Sequence, residues 1–290
     1  MASVVNDLVR VIELEQFEDN LFRGATIDTG QGSLFGGLVA GQALRAASKT
    51  VPEDRLAHSL HAYFLRPGTV DKPVVYEVDR IRDGRGFTTR RVRAIQNGRA
   101  IFSLSASFQV PEEGPEHQSE MPLVPPPEEV ESDEAQRLAF AELLPETVRK
   151  VFLQERPIEI RPVTPVSMFG TEPVEPVRHM WFRIKEPVQA PLAVHQALLT
   201  FCSDLSLMTT AMLPHGISFW QPQVQSASID HSLWFLRPCR ADEWLLYSME
   251  SPSAAGARGF NRGTIYQQDG TMVAATAQEG LMRVLQATKK

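Results

Sequence analysis

Asp204, Ser228 and Gln278 stand in the second half of this chain where the first half has Thr50, Ala57 and Ala106. The comparison is possible because the chain repeats itself. Phe64-Leu65-Arg66-Pro67 returns as Phe235-Leu236-Arg237-Pro238, Gly86-Phe87 as Gly259-Phe260, and Asn97-Gly98 as Asp269-Gly270. The offsets of 171, 173 and 172 residues are nearly constant and far too long for a solenoid, so they mark a duplicated domain. Gly41-Gln42-Ala43-Leu44 against His195-Gln196-Ala197-Leu198 extends the match toward the front of each copy. A carboxylate, a hydroxyl and a carboxamide therefore face a hydroxyl and two methyls. A carboxylate can take a proton as a general base. A hydroxyl can attack if a base lies beside it, and a carboxamide both donates and accepts. The copy that keeps convergent polar groups is where chemistry is to be sought.

Each of the three also has an ordinary reading. Asp204 lies in the apolar run Leu198-Leu199-Thr200-Phe201-Cys202-Ser203-Asp204-Leu205. A buried carboxylate there needs a partner, which Ser203 could supply, or the side chain could reach solvent. Gln278 follows the small residues Ala274-Ala275-Thr276-Ala277, which leave room for something to approach, and an edge amide is the alternative. Ser228 could be a plain strand hydroxyl. As a nucleophile it would need a neighbouring base. Strand alternation puts Asp230 on its face and turns His231 away.

Three other signatures fall short. The glycines of the Gly30–Gly37 stretch miss the G-x-G-x-x-G spacing by one position, no G-x-S-x-G occurs, and the seven histidines show no metal-ligand spacing. No cofactor and no metal is expected. His58 and His231 both open the repeated strand, and Arg66 and Arg237 precede prolines in both copies, which argues for shared structural duties. Arg258 and Arg262, or Arg90, Arg91 and Arg93, could meet phosphates, and solvated strand edges explain them equally well. Trp220, Trp234 and Phe235 could line a tunnel or fill the core.

The elements that would position these residues follow from periodicity. Residues 4–14 have helical spacing, and a strand over 17–25 leads to a turn and an Ala-rich helix ending near residue 49. Four strands follow over 58–65, 74–82, 87–96 and 100–110. The last alternates Phe102, Leu104, Ala106 and Phe108 with Ser103, Ser105, Ser107 and Gln109, which marks a sheet with one buried face. Residues 111–127 hold six of the 21 prolines and read as a linker. Residues 133–154 read as helical. A second set then has strands near 158–163 and 178–185, a helix over 192–213, and strands over 227–236, 243–251, 259–268 and 271–282. The fold class is α+β, with two tandem repeats, each a long helix wrapped by an antiparallel sheet: a double hot-dog. The boundaries are 1–110 for the first repeat, 111–145 for the Pro-rich linker and 146–290 for the repeat with the candidate residues.

The 290 residues carry a formal net charge of −6, which gives no field for a polyanion, so no nucleic-acid partner is expected. No apolar run is expected to reach the ~18 residues of a membrane span, and no membrane partner is implied. The start, Met1-Ala2-Ser3-Val4, lacks a basic region before an apolar core, so no signal peptide is expected. Cys202 and Cys239 are too few for a disulfide framework. The expected location is the cytoplasm.

The chain resembles the type II acyl-CoA thioesterases along nearly its whole length. The resemblance is carried by Leu21-Phe22-Arg23-Gly24, Phe35-Gly36-Gly37, Tyr63-Phe64-Leu65-Arg66-Pro67-Gly68, Ile229-Asp230-His231-Ser232-Leu233-Trp234-Phe235, Ala257-Arg258-Gly259-Phe260 and Gln278-Glu279-Gly280. It implies a double hot-dog enzyme that hydrolyses fatty acyl-CoA without a cofactor. It also implies a homo-oligomer, a dimer or tetramer of the double unit, and a catalytic trio falling on Asp204, Ser228 and Gln278. The implied mechanism is direct attack by water, with Asp204 as base and the other two fixing the water's orientation. The alternatives on this fold are an acyl-CoA binder without turnover and an enoyl hydratase or dehydratase.

Overall fold

The computed structural model describes residues 3–28, 32–144, 146, 149, 152–164 and 172–285. Residues 30 and 31 of the expected glycine turn, part of the expected helix over 133–154 and residues 287–290 lie outside them.

The first half contains α1 (Val4–Glu13), β1 (Glu15–Glu18), β2 (Leu21–Gly24), α2 (Gly36–Ser48), β3 (Leu56–Phe64), β4 (Val74–Asp83), β5 (Phe87–Gln96) and β6 (Arg99–Gln109). The second half contains α3 (Glu134–Ala141), β7 (Ile158–Pro162), β8 (Val177–Ile184), α4 (Leu192–Ser203), β9 (Val224–Ser228), β10 (Asp230–Phe235), β11 (Leu245–Ala255), β12 (Arg258–Gln267) and β13 (Met272–Val284). Among the described residues the strands form one antiparallel sheet in the order β1-β2-β4-β5-β6-β3-β10-β13-β12-β11-β8-β7, with β9 beside β13. The second half of that order mirrors the first. The two copies join where β3 pairs with β10, His61 opposite Ser232. Those two residues differ by 171 positions, so the seam is the local dyad of the duplication. His61 Nδ1 and Ser232 Oγ lie 3.1 Å apart there.

Each long helix fills the concave face of its half-sheet. α2 and α4 are buried around most of their circumference and pack against one another. The close approach is built on Gly41, where a Cβ would meet the Ala197 carbonyl oxygen at 2.7 Å. One apolar core runs through both copies, from Leu8 and Ile12 of α1 through Leu38 and Leu44 to Leu198, Phe182 and Ile265. Burial of such side chains contributes roughly 1.5–3 kcal/mol each.

Three expectations change in detail. The helix read over 192–213 stops at Ser203. A 3-10 helix over Met208–His215 follows, and Ser206 between them has φ +63. The segment Leu192–His215 is long and apolar enough to cross a membrane by composition, contrary to the sequence expectation. It forms the buried centre of the second copy, with 67% of its apolar window inside the protein. The Pro-rich segment is a strap rather than a loose linker. Trp181 Nε1 donates to the Pro125 carbonyl at 2.9 Å, and Gln118 takes up the Gly270 carbonyl and the Met272 N–H, holding residues 116–130 against the outer face of the second half-sheet.

Candidate active site

Asp204 is the C-cap of α4. A carboxylate there faces the negative end of its own helix dipole. The other copy offsets this. α2 starts at Gly36 with no side-chain cap on its first N–H groups, and Asp204 docks on that end, accepting a hydrogen bond from the Gly37 N–H. A Cβ on Gly36 would meet the Phe64 ring at 2.6 Å and Asp204 Oδ2 at 2.8 Å. A glycine of the first copy thus makes room for the carboxylate of the second.

Gln278 projects from β13 into the same space. Its Nε2 donates to Asp204 Oδ1 at 2.7 Å and lies 3.2 Å from His231 Nδ1. Its Oε1 is buried and has no hydrogen-bond partner among the described residues. A buried acceptor of this kind needs a donor. Level with Gln278 on β12 is the fully buried Asn261. Its Nδ2 makes long contacts to the Gly259 and Gln278 carbonyls at 3.3 and 3.4 Å, and its Oδ1 is also without a partner.

Burial raises the Asp204 carboxyl to about 6, against the pull of the Gln278 and Gly37 hydrogen bonds. It is ionised at neutral pH and more basic than an ordinary aspartate, the condition for a general base. Burial pushes His231 down to about 4, so its imidazole is neutral.

Ser228 ends β9 opposite Gly280, on the face of β13 that carries Gln278. Its hydroxyl reaches Met208 Sδ at 4.0 Å, and no hydrogen bond joins it to Asp204 or Gln278 among the described residues. The fold therefore brings Asp204 and Gln278 into contact and sets Ser228 alongside. Simple alternation fails next to it. Ser228 lies opposite Gly280 and Ser232 opposite Ala277, so Ile229 is one residue too many, a bulge. The bulge turns His231 inward, level with Gln278, while Asp230 accepts the Glu279 N–H at 2.6 Å. The first copy carries the same bulge at His58, between the pairs Ala57–Phe108 and Ser59–Ser107. His58 thus corresponds to Ile229 and His231 to Leu60, so the two histidines do not share a duty.

The pairing Asn261–Gln278 in the second copy matches Arg90–Ala106 in the first. Arg90 is 1% exposed and fills the counterpart space. Its Nε donates to Thr50 Oγ1 at 2.9 Å, and its Nη2 donates to the Thr50 carbonyl at 3.0 Å and to Asp83 at 2.6 Å. It is not free to meet a phosphate. Arg91, Arg93, Arg258 and Arg262 pair with Asp79, Glu77, Glu279 and Glu250 on the outer surface. Arg66 and Arg237 do share a duty: each donates to a carbonyl at the start of the strand beside the one it follows in the sheet, Ala100 of β6 and Met272 of β13. Phe235 joins the core, and Trp220 packs with Phe140, Phe152 and Phe219. Sequence reasoning missed Asn261 and the inward His231. The 171-residue offset applied to Arg90 would have found the first, and nothing short of the bulge reveals the second.

The family model described as acyl-CoA thioesterase matches residues 147–281, and the acyl-CoA thioesterase N-terminal domain matches residues 26–109. An acyl-CoA thioesterase 2 of Haemophilus influenzae is 40% identical over 283 residues, covering 98% of this chain and 99% of that protein. This chain belongs to the type II acyl-CoA thioesterases. Human acyl-coenzyme A thioesterase 8 is 42% identical to it, over 94% of this chain and 88% of the human one. The crystal structure of an acyl-CoA thioesterase II from Mycobacterium marinum superposes on this thioesterase with a TM-score of 0.77 at 38% identity, over 96% of this chain and 98% of that one. A hot-dog protein of unknown function from Alicyclobacillus acidocaldarius shares the fold, with a TM-score of 0.75 at 20% identity over 98% and 99% of the two chains. Among the described residues no group of three or more His, Cys, Asp or Glu is arranged to hold a metal ion. A half-open cavity of about 750 Å³ lies near the site. Its wall is mixed, with Ile27, Leu38 and Phe201 beside Asp7, Arg10 and Glu155; Leu38 is next to Gly37 and Phe201 one helical turn before Asp204.

Proposed function

We propose that this thioesterase hydrolyses fatty acyl-CoA to free fatty acid and coenzyme A by direct attack of water activated by Asp204. The observation that carries the reading is the Asp204–Gln278 pair: an ionised carboxylate held by an amide whose own oxygen is buried and unpartnered. A water donating one hydrogen to Asp204 Oδ2 and the other to Gln278 Oε1 satisfies both acceptors and keeps a lone pair for the substrate. A thioester carbonyl is a ready target because sulfur donates poorly into it. Asp204 removes the proton as the water oxygen bonds to carbon. The tetrahedral oxyanion then collapses, the C–S bond breaks, and the departing sulfur takes the proton back. Holding the water in this orientation contributes several kcal/mol, roughly, in favourable cases. Ser228 borders the water site and supports its polarity. The acyl chain takes the cavity lined by Leu38 and Phe201, whose volume lies within the usual range for small-ligand sites, about 300–1,000 Å³. Two free cysteines suit a reducing compartment, so the proposed setting is the cytoplasm. The outer edges of β1 and β7, unpaired among the described residues, support a homo-oligomer, dimer or tetramer, a part in lipid metabolism being implied by the substrate.

The test is release of free thiol from acyl-CoA substrates running from acetyl to palmitoyl, with acid-quenched samples weighed by mass spectrometry. Loss of turnover in folded Asp204→Asn and Gln278→Ala, with no acylated protein at any time, is the expected result. An acyl adduct on Ser228, or full turnover in both variants, would overturn it.

A further inference from the structure

We infer that His231 is a positioning residue that locks the Gln278 carboxamide with its nitrogen toward Asp204 and its oxygen toward the attacking water. The inference rests on the water-activating pair just proposed. Proton accounting around His231 fixes the direction of each bond. Ser203 Oγ donates its one proton to the Thr200 carbonyl at 2.8 Å. It can therefore only accept from His231 Nε2, which lies 2.8 Å away. A neutral imidazole carries one proton, and with Nε2–H so engaged, Nδ1 is a bare acceptor. It faces Gln278 at 3.2 Å, so the group turned toward it must be the Gln278 nitrogen. Both hydrogens of that nitrogen are then spoken for, by Asp204 Oδ1 and His231 Nδ1, and Oε1 has one place left to point.

Asp204 alone cannot hold this arrangement through a turnover. While ionised it accepts, and it attracts the Gln278 nitrogen. Once it has taken the water's proton it can donate, and it would draw Oε1 toward itself. His231 does not change its proton state in that step, so it keeps the amide from turning. The histidine is held in its turn. Tyr247 Oη donates to the Ser203 carbonyl at 2.8 Å and braces the end of α4 against β11. The duplication supplies a separate observation. In the other copy the place of His231 is taken by Leu60 and that of Gln278 by Ala106, a pair opposite one another in β3 and β6. The amide and the imidazole occur together or not at all.

The experiment compares two polar replacements of similar size. The oxygen of Asn in His231→Asn stands where Nδ1 stands and keeps an acceptor for Gln278. The amide of Gln in His231→Gln reaches the Nε2 position and keeps only the Ser203 bond. Steady-state kinetics and the pH profile of kcat are measured for both, for the parent and for Gln278→Ala, with thermal melts as the folding control. The ionisable groups packed around Asp204 from β10 and β11 are His231 and Tyr247, which burial pushes down and up respectively, so a limb near pH 6 reports Asp204. The expected result is a fall in kcat on the order of 10- to 100-fold in His231→Gln with little change in KM. Its acid limb should also move upward, because Asp204 loses a steady donor, while His231→Asn stays close to the parent. Equal kcat in the two variants, or an acid limb that does not move in His231→Gln, would overturn the inference. If Gln278→Ala kept full activity, the proposed pair itself would fall, and this inference with it.

Discussion

Replacing Asp204 by asparagine should make the protein more stable and almost inactive. Burial raises the carboxyl from 3.8 to about 6, a rise of about two pH units. At about 1.4 kcal/mol per unit, keeping Asp204 ionised at neutral pH costs the native state roughly 3 kcal/mol. Asparagine has the same shape and no charge. It can turn its oxygen to Gln278 Nε2, but its nitrogen then faces the Gly37 N–H, which loses on the order of 1 kcal/mol. A net gain of roughly 1–3 kcal/mol remains. The folded pKa is above the unfolded one, so the stability tied to the protonated form is fully present below pH 3.8 and lost as the pH rises through about 6. The advantage of Asp204→Asn should therefore be full above pH 6 and vanish near pH 4. Urea unfolding of both proteins at pH 7.5 and pH 4 measures it, and thiol release from acyl-CoA should fall by roughly 10²–10⁴ for loss of a general base. A variant no more stable than its parent at pH 7.5, or equally favoured at both pH values, would refute the reasoning.

Three further outcomes are expected. The pH profile of kcat/KM should fall on the acid side with a midpoint near 6, activity being present above it and lost as Asp204 takes a proton below it; a midpoint near 4 would show an unperturbed carboxylate. Gly36→Ala should lower kcat on the order of 10-fold or more, because the added methyl meets both Phe64 and Asp204 Oδ2; unchanged kcat would show that the carboxylate need not sit so close. Ile27→Trp, which fills part of the 750 Å³ cavity, should lower turnover of palmitoyl-CoA while sparing acetyl-CoA, and equal effects on both chain lengths would place the acyl chain elsewhere.

The double architecture was legible because the duplicated landmarks sit at turns and strand ends, where sequence dictates local geometry. Asn97-Gly98 and Asp269-Gly270 close hairpins in both copies, with Asn97, Gly98 and Gly270 at positive φ. The helix echo pointed to Asp204 and the hairpin offset to Gln278, and the two side chains meet in a direct hydrogen bond. The departures are local breaks in periodicity. The helix through Asp204 stops there, since the turn at Ser206 leaves no hydropathy signal in so apolar a run. One extra residue at Ile229 reverses the faces of everything after it, so alternation placed His231 on the wrong side. Asn261 was overlooked because a polar residue in a strand reads as solvent-facing, and only the repeat offset from Arg90 singles it out.

Arg90 is a plug, and it makes the two halves unequal. Its guanidinium is wedged against Thr50 and Asp83, so in the first copy an arginine occupies the position that Asn261 holds beside Gln278 in the second. The first half lends its sibling a helix end and a glycine, so the surroundings of Asp204 are assembled only when both halves are folded together.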